Sequence, residues 1–153
     1  MTMMLSQIDV SRSPNEVFSY VTDPSHFAEW QEGVIEGHVE GRSDVVGATC
    51  ITMRRIGGSE RASTSKITEI DPPRSWAVRG VDGPIRAHVK VTVEPLDGSS
   101  RSRVTIALDF EGHGIGKLLV PLVVRRQARK EMPANLTRLK QRLESREERR
   151  SAP

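Results

Sequence analysis

Apolar residues change period twice along this chain, and the changes divide it into three parts. Residues 5–12, LSQIDVSR, place Leu5, Ile8 and Val10 in an alternating run with one irregularity, which predicts a strand. From Ser13 the spacing is helical. Val17, Phe18 and Val21 form a stripe, Ser13 and Glu16 stand at capping-box spacing, and Pro14 suits the first helical position. Asp23-Pro24 ends this helix and starts a second short one, SHFAEW, with Phe27 and Trp30 three apart on one face.

The second part, from residue 34, has period two. It predicts six further strands: 34–41, 47–55, 61–71, 75–80, 85–94 and 102–110. Turn signals separate them at Gly57-Gly58, Pro72-Pro73, Asp82-Gly83-Pro84 and the LDGSS run. In 85–94, Ile85, Ala87, Val89, Val91 and Val93 alternate with Arg86, His88, Lys90, Thr92 and Glu94, so one face is expected buried and His88 wet. In 34–41, Ile35, Gly37 and Val39 are the more apolar set, which points Glu36 and His38 outward. After Gly112–Gly116 the period lengthens to about 3.6. Ile115, Leu119, Leu122, Met132, Leu136, Leu139 and Leu143 then predict one long helix, bent where Pro121 and Pro133 each remove a hydrogen bond.

A seven-stranded antiparallel sheet with one apolar face needs a cover, and the C-terminal helix is the only element long enough to supply it. The fold class is therefore α+β: a curved sheet wrapped around a long C-terminal helix, with two short helices after the first strand. Residues 1–145 read as a single domain and 146–153 as a flexible basic tail. Incomplete closure of such a sheet leaves a pocket, and Phe27 and Trp30 are placed to plug one end of it.

Composition narrows the setting. Aromatic residues make up 4% of the 153 residues, so the core is expected to be aliphatic. Cys50 is the only cysteine, which excludes an internal disulfide and a cysteine-based zinc site and fits a reducing cytoplasm. Residues 1–10 have no basic leader before an apolar run, and no stretch reaches the about 20 apolar residues of a membrane span, so a soluble cytoplasmic protein is expected. Net charge is +3, but residues 125–150 carry +6 and the rest −3. That skew is the one feature favouring a polyanion partner, nucleic acid or acidic lipid; a solvated helix face with a frayed basic tail is the preferred account of it, and nucleic acid is not expected as a partner.

Three stretches, SPNEVFSYVTDPSHFAEW, ITEIDPPRSWAVRG and LLVPLVVRRQARKEMPANLTRLKQRLE, resemble the SRPBCC or START-like superfamily, and more narrowly its polyketide cyclase/dehydrase-type members. The resemblance covers residues 3–143. It rests on the proline-started first helix with a downstream Trp, the Asp-Pro-Pro-Arg turn, and the Leu-x-Pro-Leu-x-x-Arg-Arg opening of the last helix. It implies a helix-grip fold with a cavity for an apolar or amphipathic small molecule. The superfamily has no universal catalytic residue, so none is assigned here.

The expected ligand-contact set is Phe27, Trp30, Cys50, Thr52, Trp76, Val78, Val89, Val91, Ile106, Leu108, Leu122 and Arg126. The aromatic rings offer apolar area with a hydrogen-bonding edge, the aliphatic residues wall the pocket, and Arg126 or Arg129 reaches a ligand carboxylate at the mouth. Cys50 is expected to be a small buried group, not a nucleophile. His26 and His113 are expected exposed, and Asp109 and Glu111 structural or solvated. No cofactor or metal is expected. The leading reading is a binding module for a lipid- or polyketide-like molecule. The alternatives are a polyketide cyclase or dehydratase using polar cavity groups and, third, a polyanion-binding protein using the basic helix. The protein is expected as a monomer or a weak homodimer through a free sheet edge.

Overall fold

A computed structural model of the chain describes residues 3–56 and 58–151, without the side chains of Ile56 and 146–151. Seven strands form one sheet: β1 (Met4–Val10), β2 (Val34–Glu40), β3 (Thr49–Ile56), β4 (Ser59–Asp71), β5 (Ser75–Gly80), β6 (Ile85–Leu96) and β7 (Arg101–Gly112). Their order is β1-β7-β6-β5-β4-β3-β2, antiparallel throughout. Register shifts at Val34/Glu36 and Ile67/Glu69 bend the sheet. The first also explains why Ile35, expected inward, is exposed. Gly58 takes φ +85° in the β3–β4 turn; its expected partner Gly57 lies outside the described residues.

Helix α1 (Pro14–Val21) begins as its sequence dictates. Ser13 Oγ accepts from the Glu16 amide, and Pro14 fills the first turn without needing a donor. Asp23 caps the next turn by accepting from the Ser25 amide at 3.0 Å, and α2 (Phe27–Trp30) follows. Gly37 of β2 lets this segment lie flat on the sheet, because a Cβ there would stand 2.6 Å from the Pro24 carbonyl oxygen.

The C-terminal segment departs from the expected single stripe. It comprises α3 (Gly116–Leu119), a π-turn over Val120–Val124, and α4 (Arg125–Ser151). Pro121 supplies no amide, and the Arg125 N–H closes the wider ring onto Val120 O. The extra residue rotates everything upstream by about 100°. Val120 therefore faces the sheet, while Ile115 and Leu122, both expected inside, face water. Beyond the turn the stripe holds: Ala128, Met132, Leu136, Leu139 and Leu143 are buried. Helix α4 continues through Pro133. Of the tail expected at 146–153, residues 146–151 belong to its last turns, with side chains outside the described set, and 152–153 lie outside the described residues.

Polar contacts fix α4 at two points. Lys140 Nζ donates to Asp9 O at 2.8 Å, and Glu144 accepts from the Ser11 amide at 2.9 Å. Further up, Arg138 donates to Trp30 O and Asn135 Oδ1 accepts from the Glu32 amide. The helix is thus anchored along β1 and against α2. One end of the grip is packed solid with Val10, Val17, Val21, Val93, Val104 and Leu139.

Candidate functional site

Register places the inner face of the other end. One row across the sheet runs Ile67–Val78–Val89–Leu108–Met4. The next runs Cys50–Ser65–Gly80, followed by the Ala87–Phe110 pair. Its central side chains, Ser65, Gly80 and Ala87, are small. Gly80 fits closely there: a Cβ would lie 3.0 Å from the Ala87 amide nitrogen on the neighbouring strand, so the backbone would have to give. Val78, Val89, Leu108 and Phe110 pack against the core yet stay half-exposed, so this end is less tightly covered than the other.

Strand β3 forms one wall. Cys50 and Thr52 are buried, and Arg54, two residues on, shares their face. The Arg54 side chain makes no hydrogen bond or ion pair with any described residue. Burial pushes its guanidinium below its usual range, and the charge of Glu131 on α4 opposes that shift from beyond ion-pair range. Burial alone raises the Cys50 thiol to about 11, so it is protonated at neutral pH.

The well-packed side of this end is aromatic. Phe27 packs edge-on against Trp30 at 5.9 Å and against Trp76 at 6.2 Å, and all three are buried. The Trp30 indole N–H is buried without an acceptor. Val91 and Ile106 are buried beside this cluster on the inner face. Eleven of the twelve expected contact residues therefore divide between the inner face and the α4 surface in a simple way: Arg126 is exposed on α4, and the rest lie inside. The twelfth, Leu122, is turned outward by the π-turn.

Several polar residues bear on the expectations. Asp109 takes the structural of its two expected roles: it is buried, and Arg125 Nη2 donates to it at 3.0 Å. The Arg125 Nε stays buried and unpartnered. His26 stacks on Tyr20 at 4.8 Å and lies 2.9 Å from Glu29, which also accepts from the Tyr20 hydroxyl. That trio ties α1 to α2. His88 points to the outer face but is half-buried, 3.1 Å from Glu111, whose other oxygen is 2.8 Å from His113. Glu36 and His38 are exposed. Among the described residues no group of three or more His, Cys, Asp or Glu is placed to hold a metal ion.

Residues 1–144 match the sequence family described as polyketide cyclase / dehydrase and lipid transport. The chain belongs to that family. No curated protein sequence matches it. Solved structures share the helix-grip fold of this family member. The Zhui aromatase/cyclase from Streptomyces sp. R1128 superposes with a TM-score of 0.77 at 14% identity, over 95% of this chain and 94% of that one. A START superfamily protein from Mycobacterium smegmatis gives 0.75 at 15%, over 94% and 97%. The di-domain ARO/CYC BexL from the BE-7585A biosynthetic pathway gives 0.73 at 16%, over 94% of this chain but 47% of its own length. At such identities the likeness extends to the fold of the family member and not to its chemistry.

Arg54 was not among the expected site residues. The signal was present: it continues the i, i+2, i+4 series Cys50–Thr52–Arg54 on the strand's inner face. A charged side chain in that series reads as an exception to the apolar pattern, and here the exception is the informative residue.

Proposed function

We propose that this family member binds an amphipathic small molecule in the chamber between sheet and α4, with an acidic or carbonyl-bearing end at Arg54 and an apolar body over the Ser65–Gly80–Ala87 floor. The observation that carries this is a pair of donors without acceptors. A half-buried guanidinium with no ion-pair partner among the described residues is unfavourable unless something neutralises it. A buried indole N–H without a partner costs about 1–3 kcal/mol. One ligand oxygen near each would relieve both, while Val78, Val89, Leu108 and Phe110 give its chain about 25 cal/mol per Å² of apolar contact.

The test is a thermal-shift titration with a medium-chain carboxylate and with its methyl ester. The carboxylate should raise Tm in proportion to the logarithm of its concentration, and more than the ester does. Arg54→Met should remove the difference between the two while leaving the fold intact. Equal responses in the unmodified protein, or a preference that survives Arg54→Met, would remove Arg54 from the site. A cyclase or dehydratase would use the same donors to polarise a ketone. Chromatography with mass spectrometry of a polyketone after incubation separates that reading: cyclisation isomerises the ligand and shifts its retention at unchanged mass, dehydration releases one water and lowers the mass, and binding alone does neither.

A further inference from the structure

The start of the C-terminal segment carries a surface that the chamber does not use. Ile115, Leu118, Leu122 and Val123 are each more than half exposed, with Leu118 at 66% and Leu122 at 68%. Spacings of three and four set Ile115, Leu118 and Leu122 along one side. Large aliphatic side chains clustered in the open mark an interaction site. Between residues 112 and 130 the cations are Lys117, Arg125, Arg126, Arg129 and Lys130, with no acidic residue. Asp109 engages Arg125; the other four make no ion pair with a described residue. Pro121, Leu122, Arg125, Arg126 and Arg129 line a depression of about 390 Å³.

This combination discriminates between occupants. A second copy of the chain docking patch to patch would bring the same cations together with no acid to offset them. Nucleic acid would satisfy the cations but leave the leucines in water, and the segment has no Phe, Tyr or Trp on which bases stack. An anionic bilayer accepts both halves, aliphatic groups at the acyl boundary and guanidinium groups at the phosphates. Among the described residues no helix is long and apolar enough to cross a membrane, so contact through this segment is peripheral.

We propose that residues 115–130 form a docking surface for an anionic lipid membrane, with Leu118 and Leu122 inserting and Arg126 and Arg129 meeting lipid phosphates. Arg125 joins this segment to Asp109 and to the Phe110 carbonyl, so docking brings the less tightly covered end of the grip to the bilayer. The inference does not depend on what the chamber holds.

Co-sedimentation of the full chain with vesicles tests it. Binding is expected to phosphatidylcholine–phosphatidylglycerol vesicles and not to phosphatidylcholine alone. Each cation contributes about fivefold at low salt, so Arg126→Glu with Arg129→Glu should abolish binding, and added salt should weaken it. Leu118→Ser with Leu122→Ser should lower affinity by about tenfold or more while leaving thermal unfolding unchanged, since both side chains are already in water. Failure to bind anionic vesicles at low salt overturns the proposal. So does full binding by the double leucine variant, which would leave only unspecific charge attraction. A concentration-dependent dimer that the leucine changes dissolve would assign the surface to a second copy instead.

Discussion

Trp30 combines a structural ring with an unused donor, and two substitutions separate them. The ring is buried between Phe27 and the α4 contacts, so Trp30→Ala should cost roughly 3–5 kcal/mol in urea unfolding. Trp30→Phe keeps most of the ring area and removes the N–H that lacks an acceptor. Its stability should stay within about 1.5 kcal/mol of the parent, while carboxylate binding weakens. A Phe variant that binds as well as the parent would leave Trp30 purely structural. Cys50 makes a second case of chemistry suppressed by position. Its thiol, raised from 9.0 to about 11 by burial, should resist alkylation at neutral pH until the protein unfolds. A folded-state pKa above the unfolded one also means stability that is complete below pH 9 and declines as pH rises toward about 11. Rapid labelling of the native protein, at a rate unrelated to unfolding, would show an open path to Sγ. Parity made Cys50 and Thr52 legible from the sequence because small side chains do not contradict an inner face. Arg54 carries the same parity signal but was passed over for the opposite reason: its charge argues against a face that the register nonetheless imposes.

Elements were read best where one periodicity ran without interruption. Strand β6 alternates cleanly in sequence, and Val91 and Val93 are buried as that pattern requires, while Ile85, Ala87 and Val89, expected on the same buried face, are only half-buried. Strand β2 was misread at Ile35, since a bulge shifts side chains between faces without leaving a mark in composition. The C-terminal segment failed in the same way. Pro121 signalled a disturbance, but a kink and a π-turn follow equally from a missing amide, and only the π-turn changes which residues face the sheet. Its upstream end is fixed by one tight contact. A Cβ on Gly116 would sit 1.8 Å from the Pro84 carbonyl oxygen, a backbone atom that cannot rotate away. Gly116→Ala should therefore push α3 off the β5–β6 turn and destabilise by roughly 2 kcal/mol or more. At about 2–4 °C per kcal/mol for a chain of this size, calorimetry should show a clear drop in Tm. An unchanged Tm would mean that α3 has slack against the turn, and the outward setting of Leu118 and Leu122 would lose its anchor.

At the scale of the whole molecule the inner and outer faces of the sheet obey different physics. The architecture was legible because a two-residue period, repeated over seven segments and followed by a 3.6-residue stripe, leaves few ways to bury both apolar faces. Outer-face pairing was not legible, since which charges meet depends on register and strand twist. Glu111 illustrates the gap: on β7 it gathers His88 from β6, His113 from the following loop and Arg79 from β5. Hydrogen bonds from His88 and then His113 hold its carboxyl below the usual value of 4.5. A carboxylate whose folded pKa is lowered adds stability that is complete above its unfolded pKa and is lost as pH falls through the folded one. Other carboxylates behave likewise, Asp9 through its bond to Arg103 among them, so the total acid limb cannot isolate one site. The difference between parent and Glu111→Gln can. Urea midpoints of the two should differ by a constant amount near neutral pH, and the gap should close as pH drops below 4.5. Because the group is exposed to solvent, raising the salt concentration should shrink the gap throughout. A gap that persists undiminished in acid would mean that Glu111 holds the outer face by packing and hydrogen bonding of its neutral form, with no contribution from its charge.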